Sequence, residues 1–396
     1  MRILFLTPRL PFPPVGGDKL RVFNFIKHLS RNHKIALISF IADPDEANYL
    51  IEYASLLERV KTVLLSKEKS YSNACRGILS PKPFQIHYYY LKKMRQLIFQ
   101  EIESGKYDLV FVHLIRMAEY VKDLRGVPRI LDLTDAISLN YERSVRYRRD
   151  VFYLVNLIEK EKVRRYETEI ISHFEKNLLI SSVDKNYLSR YTDNQNIEIV
   201  PNGVDIDYFQ FYDGVFDLNR VVFLGNMRTF PNSDAVEYFC KEILPLIRKE
   251  LPKVKFHIIG SEPSKVVRKL ASEPEVVVTG YVKDVRPFLR KAAVSVCPMR
   301  VGAGIQNKIL ESMAMGTPVV STPEGVEGIE VNPGQEILVS NSSSDFAQKV
   351  TELIQNRALR RSISLNARRL VEKKYTWEIT LNQLEHIITE VVGRDN

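Results

Sequence analysis

The sequence predicts an α/β protein of two doubly wound halves, each a parallel sheet with helices on both faces. Short apolar runs alternate with amphipathic stretches along nearly all of the 396 residues, as strands joined by crossover helices require. The alternation breaks at Pro201-Asn202-Gly203-Val204-Asp205 and stays irregular to Asn219. A chain this long exceeds one ordinary core, so the break reads as a domain boundary.

In the first half Ile3-Leu4-Phe5-Leu6 is a strand ahead of Pro8, too short for a signal h-region. Helix, strand, helix, strand and helix follow at 19–30, 34–40, 47–57, 60–65 and 91–104. Leu109-Val110-Phe111-Val112 and Arg129-Ile130-Leu131-Asp132-Leu133 are strands, helices fill 137–174, and Asn177-Leu178-Leu179-Ile180 is a strand. The second series opens at Arg220-Val221-Val222-Phe223-Leu224-Gly225 and continues with strands at 255–259, 276–279, 294–298, 319–321 and 337–339. Helices follow at 345–353 and 358–373, and Tyr375-Thr376-Trp377-Glu378 opens a last one to Val392.

A net charge of +9 favours anionic partners. Nucleic acid is excluded as a partner class: there is no zinc-finger spacing, no RNP-like aromatic strand and no isolated basic tail. Cys75, Cys240 and Cys297 are scattered, which fits neither a disulfide framework nor a zinc site. No apolar run approaches the roughly 18 residues of a spanning helix, and the chain reads as cytoplasmic.

The richest stretch is R-V-G-A-G-I-Q-N-K-I-L-E-S-M-A-M-G-T-P-V-V-S, residues 300–321. It reads as a bare loop at Gly302 and Gly304, a helix over 305–315, a stop at Gly316 and a buried strand. A glycine loop feeding a helix N-terminus offers free N–H groups and a favourable dipole to an anion. Arg300 and Lys308 suit phosphate, and Glu311, two turns into that helix, suits ribose hydroxyls. Gly16 and Gly17 repeat the pattern ahead of the first helix, with Lys19 and Arg21 in its opening turns.

Taken together, these halves, the P-N-G-V-D linker, R-x-G-x-G…E…M-G-T-P-V-V and the Y-T-W-E entry resemble a GT-B glycosyltransferase of the family 4 kind. The likeness is greatest to bacterial sugar transferases of exopolysaccharide gene clusters, with L-P-F-P-P-V-G-G-D-K-L-R and G-I-Q-N-K-I-L-E-S-M-A-M-G as its most specific parts. The resemblance implies two Rossmann-like domains facing a central cleft. The acceptor-side domain is 1–200 with a returning helix at 376–396, and the donor domain is 201–375. It implies transfer of a sugar, with retention, from a nucleoside diphosphate sugar to a hydroxyl of a glycan or lipid-linked acceptor in polysaccharide assembly. No cofactor or metal is called for if cationic side chains hold the diphosphate.

By the same resemblance, Gly16 and Gly17 face the donor diphosphate, Gly225 and Asn226 line the cleft, and Gly280 and Tyr281 border the nucleobase. Backbone amides of Gly304, Ile305 and Gln306 meet the donor, Glu311 holds the ribose, and Arg300 and Lys308 stabilise the leaving group. Two features depart from the family. Ala303 stands where a first glutamate is common, and the Arg…Lys pair expected after Gly225 is not evident. Asp135 is the acceptor-side candidate, with an N-cap role as its alternative, and His113 ends a strand nearby. The basic-aromatic stretch at 141–165 and the run His87-Tyr88-Tyr89-Tyr90-Leu91-Lys92-Lys93 fit contact with an inner-membrane surface. Two rivals remain: a nucleotide-sugar epimerase of the same fold, and a non-catalytic nucleotide-sugar-binding partner in an assembly complex.

Overall fold

A computed structural model describes residues 1–14, 16–150 and 152–393. Val15 of the first glycine motif and the last three positions of the 376–396 segment lie outside the described residues. The chain divides into two compact units: Met1–Pro201 with the described part of Thr380–Asn396, and Asn202–Ile379.

Unit 1 carries strands β1 (Arg2–Thr7), β2 (Lys34–Ile41), β3 (Arg59–Leu64), β4 (Leu109–His113), β5 (Arg129–Thr134), β6 (Lys176–Leu179) and β7 (Ile197–Ile199). They form one sheet in the order β3-β2-β1-β4-β5-β6-β7, and every pairing is parallel. Such a sheet is covered on both faces, so its central strands are apolar throughout: β4 is buried along its whole length. From Thr380 on, the last helix belongs to this unit. Glu385 holds His28 at 2.8 Å, and the Gln383 amide donates to the Ile199 carbonyl at 2.7 Å.

Unit 2 repeats the plan with β8 (Asp217–Leu224), β9 (Lys255–Ile259), β10 (Val276–Gly280), β11 (Ala292–Cys297), β12 (Val319–Ser321) and β13 (Leu338–Val339). Their order is β10-β9-β8-β11-β12-β13, again all parallel. Each sheet therefore has a switch point, between β1 and β4 and between β8 and β11, where ligands bind at the carboxyl ends of the strands.

Several local expectations are corrected. The helix expected at 47–57 is three short pieces, two of them 3-10. Helices at Lys67–Arg76 and Phe84–Tyr89, and strand β7, had no clear periodic signal because each is short. The helix read from 305 starts at Asn307, with Gln306 as its N-cap.

One close approach in unit 2 makes a firm prediction. Gly260 follows β9 at φ 150, and a Cβ there would lie 1.7 Å from the Gly225 carbonyl oxygen. Gly260→Ala combines left-handed strain with a backbone clash, expected to cost at least about 3 kcal/mol. Gly280→Ala, at φ 70 but with open space around the added carbon, pays the strain alone, about 1–2 kcal/mol. Thermal melts of the two full-length variants should rank them in that order; the reverse ranking would reject the close approach.

Candidate functional site

The clearer site lies at the switch point of unit 2. Strand β8 runs into Gly225-Asn226 and then the helix Phe230–Tyr238, whose N-cap Thr229 makes no side-chain capping bond. Strand β11 leads through Met299 and Arg300 to the helix Asn307–Ala314, whose N-cap Gln306 likewise makes none. Two helix N-termini therefore start uncapped by side chains at the carboxyl edge of neighbouring strands, an arrangement suited to an anion. In the second helix the Ile309 N–H is already bonded to the Gln306 carbonyl at 2.9 Å. The Asn307 and Lys308 amides make no hydrogen bond among the described residues, and neither do the expected amides of Gly304, Ile305 and Gln306. Those three form the loop before the helix, and Gly304 takes φ 70, which favours glycine there.

Lys308 is the central cation. Its Nζ donates to Asn232 Oδ1 at 2.6 Å and lies 4.3 Å from the centre of the Phe223 ring. Burial lowers its pKa, against the opposing pull of Cys297 and Glu311. The Asn232 amide in turn donates to the Asn226 carbonyl at 2.9 Å, so Asn232 ties Lys308 to the Gly225 turn. Sequence reasoning missed Asn232, since an asparagine in a helix's first turn carries no signal of its own. Arg300 is engaged elsewhere: it forks onto Asp234 at 2.6 and 3.0 Å and lies over the Tyr238 ring. Its charge is thus already matched by a carboxylate, which leaves Lys308 as the better phosphate ligand.

Glu311 stands just over one turn into its helix, nearer the N-terminus than the sequence suggested. The residue is half-buried, and its carboxyl makes no hydrogen bond or ion pair among the described residues. Burial pushes its pKa up to about 7, only partly offset by Lys308. Ala303 is buried and offers no polar group. Gly280 ends β10, and Tyr281 beyond it is 67% exposed, a ring open to solvent.

Unit 1 has its own cluster at the equivalent edge. Gly16 is the N-cap of the helix Gly17–Leu29, again without a side-chain cap, and Gly17 is its first residue. Arg21, in the opening turns of this helix, is fully buried. Its Nε meets both oxygens of Asp132 at 3.1 and 3.0 Å, and its Nη1 donates to the Val200 carbonyl at 2.9 Å. Burial alone would raise the Asp132 pKa, but Arg21 and His113 outweigh it and hold the carboxyl at about 2. His113 Nδ1 lies 2.9 Å from Asp132 Oδ2, so an ionised Asp132 keeps the proton on Nδ1. His113 Nε2 is buried and without a hydrogen-bond partner among the described residues.

Asp135 follows this cluster on the loop after β5. Its capping alternative fails: the N-cap is Ala136, whose N–H is bound by Asp184 at 2.9 Å, while Glu167 takes the next two amides. The Asp135 carboxyl makes no hydrogen bond or ion pair among the described residues. Its pKa lies well above the usual range, through burial and then the nearby Asp184. Leu114 and Thr134, next to His113 and Asp135, take φ 65 and 69. Non-glycine residues in that region are strained, and such strain collects at functional sites.

Comparison with known proteins bears on the family and the fold. Residues 219–356 match the family model for glycosyl transferases group 1. A 44.6 kDa uncharacterized protein from the cps region of Klebsiella pneumoniae is 24% identical over 397 residues, covering 94% of this chain and 96% of its own. An uncharacterized glycosyltransferase of Methanocaldococcus jannaschii is 25% identical over 385 residues, 94% of each. The capsular polysaccharide biosynthesis glycosyltransferase CapM of Staphylococcus aureus is 30% identical over 198 residues, 46% of this chain and 52% of its own. Among solved structures, sucrose-phosphate synthase of Thermosynechococcus elongatus superposes over 100% of both chains with TM-score 0.76 at 14% identity. Anabaena HepE, in complex with UDP and glucose, covers 98% of this chain and 99% of its own with TM-score 0.69 at 16% identity. At such identities the structural likeness is one of fold. Residues 219–356 thus form a glycosyl transferases group 1 domain, and the chain is a glycosyltransferase of the GT-B fold.

Proposed function

We propose that this protein transfers a sugar, with retention, from a nucleoside diphosphate sugar to a hydroxyl of a glycan or lipid-linked acceptor in polysaccharide assembly. The observation that carries this reading is Lys308 at the start of a helix without a side-chain cap, with Glu311 one turn on, its carboxyl making no hydrogen bond or ion pair among the described residues. The barrier to glycosyl transfer lies in charge, because diphosphate must leave as an oxocarbenium-like centre develops. Lys308 and the free amides stabilise that diphosphate without a metal, and Glu311 accepts from the ribose hydroxyls. Gly280 and Tyr281 border the base, and Asp135 with His113 serves the acceptor side. The UDP bound to HepE and the capsular assignment of CapM support the donor class and the polysaccharide setting.

The test is a thermal-shift panel of UDP-, GDP-, ADP- and dTDP-sugars, since a ligand of the folded state must raise its stability. One base should give a shift, and Glu311→Ala should abolish it. Because the Glu311 carboxyl titrates near 7 and its charged form is the better acceptor, donor affinity should weaken as pH falls through about 7 and hold above it. The slope should vanish in Glu311→Gln; a pH-independent wild type would remove Glu311 from the donor site. Turnover insensitive to EDTA, with nucleotide released only when acceptor is added, separates this reading from metal-assisted transfer and from an epimerase.

Peripheral contact with an anionic membrane surface belongs to the same proposal. In the helix Phe152–Ile170 the first half is inside out: Asn156 and Glu159 are buried, while Leu154 is 63% and Ile158 56% exposed. Residues 141–165 hold eight basic and four acidic side chains, so the outward apolar face is rimmed by net positive charge. Such a face fits the boundary of an anionic bilayer. The run at 87–93 does not share this role: Tyr90 stacks on Tyr120 at 5.5 Å, and Tyr88 packs against Tyr89. Co-sedimentation with phosphatidylglycerol vesicles should be strong at low salt. It should drop at least tenfold in Leu154→Asp/Ile158→Asp without loss of thermal stability; equal sedimentation of wild type and variant would remove this face as the contact.

A further inference from the structure

Unit 2 has a cavity of about 370 Å³ that the transferase reading does not use. It is lined by residues at the starts of the central strands: Phe216 and Leu218 at β8, Ala292 and Ala293 at β11, and Thr317 and Pro318 before β12. The donor loops follow the ends of β8 and β11. A strand of six to eight residues is roughly 20 Å long, so the cavity is a separate place.

Its lining is two-sided in chemistry. Phe211, Tyr212, Phe216 and Leu289 supply an apolar wall. Arg290, Arg357, Arg360 and Arg361 supply four cations, against the single carboxylate of Asp213, which pairs with Arg361 at 3.0 Å. Arg290 and Arg357 have no carboxylate partner among the described residues. Arg360 is buried, donating Nη1 to the Leu353 and Ile354 carbonyls at 2.7 and 2.9 Å and lying over the Phe216 ring at 4.7 Å. Burial, then the charge of Arg357, weakens its hold on its proton.

Of the four arginines, Arg290 and Arg357 lack a counter-charge among the described residues, while Arg360 is held by carbonyls and Arg361 by Asp213. Three of them, Arg357, Arg360 and Arg361, fall in the opening turns of the helix Arg357–Lys374, whose first turn holds no acid. Cations at a helix N-terminus oppose its dipole, and an anion there would relieve both that opposition and their mutual repulsion. The apolar wall beside them offers contact to a body carrying the anion, and the volume lies in the range of small-molecule sites.

We propose that this cavity binds a phosphate monoester with an apolar or aromatic body, at a site distinct from that of the sugar donor. The test uses the full chain and two probes, phenyl phosphate and hexyl phosphate, read by calorimetric titration, with inorganic phosphate and phenol as controls. At least one probe should bind tenfold or more tightly than inorganic phosphate, and their order tells whether the natural body is a ring or an alkyl chain. Arg357→Glu should weaken binding at least tenfold, while its melting temperature stays equal or rises because an acid now occupies the helix start. Lys308→Met should bind the probes as wild type does. The proposal is overturned if neither probe binds, if inorganic phosphate binds as well as both, if charge reversal leaves affinity unchanged, or if Lys308→Met abolishes binding.

Discussion

Asp132→Ala is expected to destabilise unit 1 by about 3–5 kcal/mol, because it leaves the buried Arg21 guanidinium without its counter-charge. Both side chains are fully excluded from solvent, so no water replaces the lost carboxylate. For a unit of this size that is roughly a 10 °C fall in melting temperature. The comparison that isolates the pair is Arg21→Met/Asp132→Leu, which removes both charges and fills the space. It should recover most of the loss, since a buried ion pair is costly to break and cheap to replace by well-packed apolar groups. A single variant that melts with wild type would show that Arg21 finds another partner. The pH dependence has a definite sign. The folded Asp132 pKa is depressed to about 2, below an unfolded value near 4. Its stabilisation is therefore complete above about pH 4 and is lost as pH falls toward 2.

Lys308→Met is expected to lower kcat about 10²–10³-fold while leaving stability equal or higher. The loss follows from removing a preorganised cation from the departing diphosphate. The gain in stability follows from the lowered pKa of Lys308: folding opposes its charged form, and methionine fills the space beside Phe223 and Met299 without that cost. Lys308→Arg should not restore turnover, because a planar fork does not fit where a compact ammonium is held at 2.6 Å from Asn232. A kcat within threefold of wild type would move the catalytic cation elsewhere, with Arg300 the next to test.

Strand content and the doubly wound class were legible because buried parallel strands are near-continuous apolar runs, and β1, β4 and β11 read that way. Short helices such as Phe84–Tyr89 were not, since six residues carry less than two periods. The loop proposed for the donor was legible for a similar reason: glycines, a cation and an acid on one local stretch need no folding to be seen together. Asn232 and the true partner of Arg21 were not legible in the same way. Arg21 and Asp132 are 111 positions apart, and Lys308 and Asn232 are 76.

Chain order alone therefore decided what is local in this protein: two α/β series, a break between them, and a glycine loop feeding a helix with Lys308 and Glu311 on it. Folding decided what each charge does. Arg21 and Arg300, alike on paper to Lys308, are held by Asp132 and Asp234, whereas Lys308 rests on a neutral amide and an aromatic ring. A charge that meets a carboxylate is structural, and one that meets none is available to a ligand. That difference depends on contacts across the sheet, which no spacing along the chain encodes.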